Sequence, residues 1–329
     1  WIESRVACVP FVLDAEFHKE SFAAFGGKGH EQLGSCYVLF AWGDVLDSQL
    51  MRAPGALPEA FWFFFIKHFA FLARQFARFL GASWRADNHH LMERGVATYY
   101  LGVQYPEFRL ARAMERYGQE IIRRHFDHNV LADGTGSEHC ASYQYRCFIR
   151  YALPDSVALA NGRELLGAAR KKKLRQWLLF QGFLTAPDGR LPDCGDGEGA
   201  ELAEIAAQSG ALYRSPELKG IVQALGLWPE INPTYCAGWR STPARVPKET
   251  SRIFPSGGHL ALRDSWRAGA NFLWMGLKNQ ALYNIHTHWD IFDFLICAHG
   301  KRLIGDPNAR TYGLPAGEAR GYYYSMDAH

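Results

Sequence analysis

The sequence predicts an α+β chain in which a set of helices precedes an antiparallel sheet. Three observations lead there. Between about residues 30 and 230 apolar residues recur at helical spacing, and from about 250 they alternate or run together over five to eight residues as strands do. A proline-rich stretch, WPEINPTYCAGWRSTPARVPKE (228–249), separates the two patterns. Helices followed by strands define either two domains or one layered α+β arrangement. The expected division is a helical domain over 1–240 and the start of a sheet domain over 250–329. At 329 residues the chain can bury one large core or two ordinary ones.

Six segments carry the helical period: 57–80, 88–104, 106–126, 137–153, 156–180 and 199–212, with Pro, Gly and Asp between them. Pro106 fits the first turn of its helix, where a missing amide loses no partner. The strand pattern occupies 252–264, 270–279, 289–299 and 301–307. The richest apolar run, 61–66, is followed by Lys67, His68 and Arg74. It is far short of the roughly 20 apolar residues that a membrane span needs, so no membrane span is expected. The chain starts at Trp1 and stops at SMDAH, as an internal piece of a longer protein would.

Charge and cysteine usage remove several classes. A net charge of +3 gives none of the strong basic bias of a nucleic-acid binder. Cys8, Cys36, Cys140, Cys147, Cys194, Cys236 and Cys297 form no C-x-x-C pair, so they indicate neither a disulfide framework nor a cysteine zinc site and read as buried thiols. Lys171, Lys172 and Lys173 read as a solvated helix face.

Four stretches carry candidate chemistry. In DNHHLMERG (87–95) an Asp or Asn opens a helix, which by itself is a cap. In DGTGSEHCASYQY (133–145) a turn leads into a helix bearing Glu138, Tyr143 and Tyr145; a tyrosine there is by itself a core residue with a bonded hydroxyl. NIHTHWD (284–290) lies between strand-like neighbours. Residues two apart on a strand share a face, about 6.5–7 Å apart, so His286 and His288 converge on one place, and Asp290 has the same parity. LIGDPNARTYG (303–313) puts Asp306 at a strand end. Imidazole and carboxylate are zinc ligands, so HxH with a strand-end Asp is either a zinc site or a hydrogen-bonded pair of histidines.

Taken together these stretches occur in the order and approximate spacing of one family. Asn88-His89-His90 with Glu93, the YPEF of 105–108, Asp133-Gly134 then Glu138-x4-Tyr143, P-x-x-GD at 192–196, GGHLALRDSW at 257–266, HxHWD at 286–290 and GKRLIGDP at 300–307 resemble the heparinase II/III-like polysaccharide lyases, which include heparin, heparan sulfate and alginate lyases. The resemblance covers most of the chain from about residue 60. It implies an N-terminal (α/α) toroid of helical hairpins and an antiparallel β-sandwich, here broken off within the β domain, with an active site in the cleft between them. It implies that Asn88 and His89 contact a uronate carboxylate, that Tyr143 is the catalytic tyrosine, that His286 faces the sugar, and that His288, Asp306 and His329 hold a mainly structural Zn2+. The partner is then an anionic polysaccharide, and the location periplasmic or secreted, while the seven unpatterned cysteines point instead to a reducing compartment such as the cytoplasm. Glu138, Arg94, Arg146 and Tyr323, one of the three tyrosines at 322–324, are the expected substrate contacts. Two departures bear on substrate class: Gln144 stands where the family commonly has His, and Asn308 where a Gly often follows the DP.

The implied reaction removes the C5 proton of a uronic acid and expels the 4-linked sugar. The second negative charge that builds on the carboxylate calls for donors such as Asn88 and His89, by the logic of an oxyanion hole. Tyr143, with an ordinary phenol pKa of about 10, suits the acid; His89 or His286 suits the base, and Tyr143 can serve both steps where proton and leaving group share a face. The rival readings are a glycoside hydrolase, drafting Asp133, Glu138, Asp193, Asp196 or Glu198 as its carboxylate pair, and a polysaccharide-binding or biosynthesis-associated protein without turnover.

Overall fold

The computed structural model describes residues 59, 63, 89–195, 200–206, 213–227, 238–277, 288 and 291–306. By its contacts the chain divides into two compact units, Trp1–His125 and Phe126–His329.

In the first unit, helix α1 (His89–Gln104) returns as α2 (Ala111–Asn129), which continues into the second unit. Pro106 lies in the turn between them rather than in α2, because that turn is closed by Phe108 N–H bonding Tyr105 C=O at 3.2 Å and Ala111 N–H bonding Phe108 C=O at 2.9 Å. The pair is an antiparallel hairpin with backbones almost touching. A Cβ on Gly102 would meet Glu115 N at 2.4 Å, and one on Gly118 would meet Tyr99 N at 2.4 Å. Only glycine permits that approach.

In the second unit α3 (Ala141–Ala160), α4 (Gly167–Leu184), α5 (Leu202–Ile205) and α6 (Pro216–Ala224) precede the sheet. Helix α3 contains Pro154 and runs past the expected end at 153; it stops at Asn161, whose amide caps it, and Gly162 at φ +65° turns the chain. The single helix expected over 156–180 is therefore two. The break is held by buried Asp155, which accepts Leu166 N–H at 3.3 Å and the Tyr213 hydroxyl at 3.1 Å and faces Lys171 at 3.6 Å. Lys171 also pairs with Glu164 at 2.7 Å and Lys173 reaches Val130 C=O at 3.4 Å. Of the three lysines, only Lys172 is the exposed residue expected of all of them. Helix α6 starts as its sequence directs, with the Ser215 hydroxyl accepting Leu218 N–H at 3.2 Å and Pro216 in the first turn.

The sheet is a five-stranded antiparallel meander, β1 (Arg252–Phe254), β2 (His259–Arg263), β3 (Phe272–Gly276), β4 (Phe294–Ala298) and β5 (Lys301–Ile304), in that spatial order. The strand expected over 252–264 is two, because Gly258 N–H bonds Phe254 C=O at 2.8 Å and closes a turn. Alternation assigns the two faces. Phe254, His259, Ala261, Arg263, Phe272 and Trp274 point inward and are buried. Phe180 of α4 meets Phe254 at 4.9 Å, and Phe183 meets Trp266 at 5.2 Å, both edge to face. On the other face the register lines up two apolar rows. One is Ile253, Leu260, Met275 and Phe294; the other is Leu262, Leu273, Ile296 and Ile304. Ile253 is 55% and Ile304 49% exposed.

Among the described residues Cys140, Cys147, Cys194 and Cys297 are free and buried, as expected, and no helix is long and apolar enough to cross a membrane.

Candidate active site

The antiparallel register brings one set of connections to the same end of the sheet: the β1–β2 turn, the end of β3, the start of β4 and the end of β5. At that end Leu277 N–H bonds Gly258 C=O at 2.7 Å, Gly276 N–H bonds Asp293 C=O at 2.9 Å, and Phe292 N–H bonds Gly276 C=O at 2.7 Å. The NIHTHWD stretch belongs to the β3–β4 connection that leaves here, and Asp306 follows β5 at the same end. His288 is buried, with 2% exposure, and Asp306 is half-buried. His288 was expected on a strand and is not on one. The β3 ladder ends at Gly276, and Phe292, at φ +66°, turns the chain before β4 starts.

The loop that leads into α3 is fastened to this end of the sheet. The Asp133 carboxylate accepts Thr135 N–H at 3.2 Å and the Thr135 hydroxyl at 2.6 Å on one oxygen, and Ser256 N–H at 2.7 Å and Gly257 N–H at 3.2 Å on the other. His139 stacks on His259 with centroids 4.5 Å apart and planes 16° from parallel, and His259 Nδ1 accepts the Trp274 indole N–H at 3.3 Å. The Cys194 thiol donates to His139 C=O at 3.3 Å, and Arg302 of β5 pairs with Asp193 at 2.9 Å and Asp188 at 3.3 Å. Thus the DG loop meets the start of GGHLALRDSW at this sheet end, and P-x-x-GD is tied both to that loop through Cys194 and to Arg302, which its pairing with Cys297 puts toward the other end of β5.

Helix α3 presents Tyr143 from its first turn, next to Gln144, whose Oε1 accepts Gly136 N–H at 3.0 Å. Tyr143 is half-buried. Tyr145 is buried; burial first, and the charge of Glu204 second, push its phenol above the ordinary range. Of the two tyrosines in YQY, Tyr143 is the less buried. Cys140 precedes the helix as its cap residue, and burial pushes its thiol up to about 12, which removes it as a nucleophile at neutral pH. Glu138 is buried, 2% exposed.

Of the remaining expected site residues, His89 is the first residue of α1, Arg94 lies in α1 and Arg146 in α3. Asn88, His286, Tyr323 and His329 lie outside the described residues. The zinc assignment therefore rests here on two of its three residues. His288 Nδ1 and Asp306 Oδ2 are both shielded from solvent, and an imidazole with a carboxylate at one sheet end is a donor set that zinc accepts. Among the described residues no cluster of three potential ligands forms.

Sequence reading assigned Arg263 no role. It is buried, stacks over Trp266 at 4.0 Å and Phe272 at 4.6 Å, and donates to Phe183 C=O at 2.9 Å and Thr185 C=O at 2.6 Å. It thereby satisfies carbonyls at the C-terminal end of α4 that the helix leaves without partners. The legible signal was the inward parity that Arg263 and His259 share with Ala261 on β2.

His259 also sets a pH dependence of stability. Burial first, and neighbouring His139 second, hold its pKa well below the usual 6.5. Above that value both folded and unfolded chains carry it neutral. As pH falls below it the unfolded chain takes up a proton that the folded chain refuses, so stability drops by up to about 1.4 kcal/mol per pH unit. Urea unfolding of wild type and His259→Gln between pH 7.5 and 5 should show a shallower slope for the variant. Equal slopes would contradict this.

Helices followed in sequence by an antiparallel sheet make the described residues an α+β fold. Residues 56–214 match the family model Heparinase II/III N-terminus. A heparinase III crystal structure aligns over 100% of this chain and 53% of its own length, with 16% identity and a TM-score of 0.75. Another heparinase III structure aligns over 83% of this chain and 41% of its own, with 21% identity and a TM-score of 0.63. The heparan sulfate lyase HepC from Pedobacter heparinus aligns over 81% and 40%, with 18% identity and a TM-score of 0.57. At these identities the likeness is one of fold, and the chain spans about half of these structures or less. No match was found among curated proteins.

Proposed function

We propose that this chain is the catalytic part of a polysaccharide lyase that cleaves a uronic-acid-containing polymer by β-elimination. The observation that carries this reading is the fastening of the α3 loop, which presents Tyr143, to the sheet end that bears His288 and Asp306. In the proposed reaction Asn88 and His89 neutralise the uronate carboxylate as charge builds on it. His89 or His286 removes the C5 proton, and Tyr143 protonates the departing O4. Glu138, Arg94, Arg146 and Tyr323 are assigned to the substrate, with Glu138 acting from a buried position.

The proposed architecture is an (α/α) toroid over 1–240 and a β-sandwich that begins at 250. The glycine-packed hairpin of α1 and α2 supports the first. The two apolar rows on the outer face of the sheet support the second, because a sandwich buries such a face against another sheet. His288, Asp306 and His329 would hold zinc, which would brace the connection that carries His286. Elemental analysis of the full-length protein should find zinc, and a chelator should lower its melting temperature and its activity together; zinc-free protein with full activity would overturn the assignment. We place the protein in the periplasm or outside the cell, in keeping with a polymeric substrate.

The hydrolase alternative needs two carboxylates free to flank a scissile bond. Asp133 spends both oxygens on amides and a hydroxyl, and Asp193 is paired with Arg302. An ultraviolet assay on a panel of uronate polymers tests the proposal, since elimination alone creates a conjugated double bond. New reducing ends without absorbance mean hydrolysis, and neither signal means a binding protein.

A further inference from the structure

We infer that Asp133 is a positioning residue: its carboxylate sets where Tyr143 stands relative to the sheet end. The inference rests on the reading in which Tyr143 acts in the reaction. Its geometry is a continuous chain of short bonds. From the sheet, Ser256 and Gly257 donate their amides to Asp133 Oδ2 at 2.7 and 3.2 Å. Through its other oxygen Asp133 holds Thr135. Thr135 C=O accepts Leu131 N–H at 2.9 Å, Val130 and Gly136 form an antiparallel bridge, and Ser137 donates to Asn129 Oδ1 by both its amide and, at 2.5 Å, its hydroxyl. The loop is therefore stiff. Gly136 N–H then bonds buried Gln144, the neighbour of Tyr143 in the first turn of α3. No part of this chain is a flexible side chain reaching across solvent, so a displacement at Asp133 passes to the helix start.

The sheet side of the contact is equally tight. A Cβ on Gly257 would lie 2.3 Å from Thr135 Oγ1 and 2.5 Å from its Cβ, so a side chain there must push the loop away. Asp133 can thus be disturbed from either partner. Asp133→Asn keeps the shape but turns an amide donor toward one of the two sets of donors. Gly257→Ala keeps the carboxylate and separates the surfaces.

Reactions of this kind lose about 100-fold for a misplacement of about 1 Å. In the full chain, at a temperature well below unfolding, Asp133→Asn and Gly257→Ala should each lower kcat by roughly 10- to 100-fold with KM changed less than threefold, since neither residue is assigned to the substrate. Hydrogen exchange should speed up at Ser256 and Gly257 and also over residues 141–144. Wild-type turnover with unchanged kcat in both variants would overturn the inference while leaving the lyase reading intact. A wild type that eliminates nothing would sink the lyase reading, and the exchange data then decide alone: accelerated exchange over 141–144 sustains the coupling, and protection there equal to wild type ends it.

Discussion

Tyr143→Phe is expected to abolish unsaturated product while leaving the protein folded. The substitution removes one oxygen from a half-buried ring in the first turn of α3 and leaves the ring to pack. If the phenol protonates O4, its loss should cost roughly 10²- to 10⁴-fold in kcat, the range for a positioned general acid. Circular dichroism and the melting temperature should stay close to wild type. Tyr145→Phe is the informative control. Tyr145 is buried and its phenol is held protonated by its surroundings, so turnover should survive its loss. Retained activity in Tyr143→Phe would remove the catalytic assignment.

The second large effect is on stability. Arg263→Ala should destabilise the Phe126–His329 unit by roughly 3–5 kcal/mol, because each hydrogen bond to a charged group contributes about 1.5–3 kcal/mol and Arg263 makes two, besides its stacking on Trp266. Burial pulls its pKa down to about 10, which still leaves it charged at neutral pH. Arg263→Lys should recover only part of the loss, since an ammonium cannot stack flat between Trp266 and Phe272 while reaching both carbonyls. Denaturant titration gives the difference directly, and a loss below about 1 kcal/mol, the net size of an ordinary hydrogen bond, would show that the helix end is held by other means.

Much of the fold was legible because it is written in local patterns. The change of period near residue 250, the Ser215-Pro216 helix start and the buried cysteines all depend on neighbours in sequence. Where the reading missed, the deciding partner was a turn or lay far away. The break after α3 turns on Asn161-Gly162, a dipeptide that marks turns, and on Asp155, whose partners include Tyr213. His288 sits off the strands, since β3 ends at Gly276 and β4 starts only at Phe294, just after Phe292 takes a left-handed backbone conformation that its residue type does not advertise. For the candidate site, the residue types were visible, but the ties were not. Asp133 and Arg263 act on backbone amides and carbonyls 78 to 124 positions away, and a backbone group has no sequence signature.

Those distances also impose an order of events during synthesis. Asp133 and Ser256 are 123 residues apart, so at about 5–20 residues per second the ribosome needs roughly 6–25 s to deliver the second after the first. The strands, by contrast, each pair with the next one made and can zip as they emerge. Phe180 and Phe183 are made 74 and 83 residues before their sheet partners Phe254 and Trp266, so at the same rate they stand uncovered on the nascent chain for roughly 4–17 s. Over that time the apolar face of α4 is exposed surface of the kind that makes folding intermediates prone to aggregate.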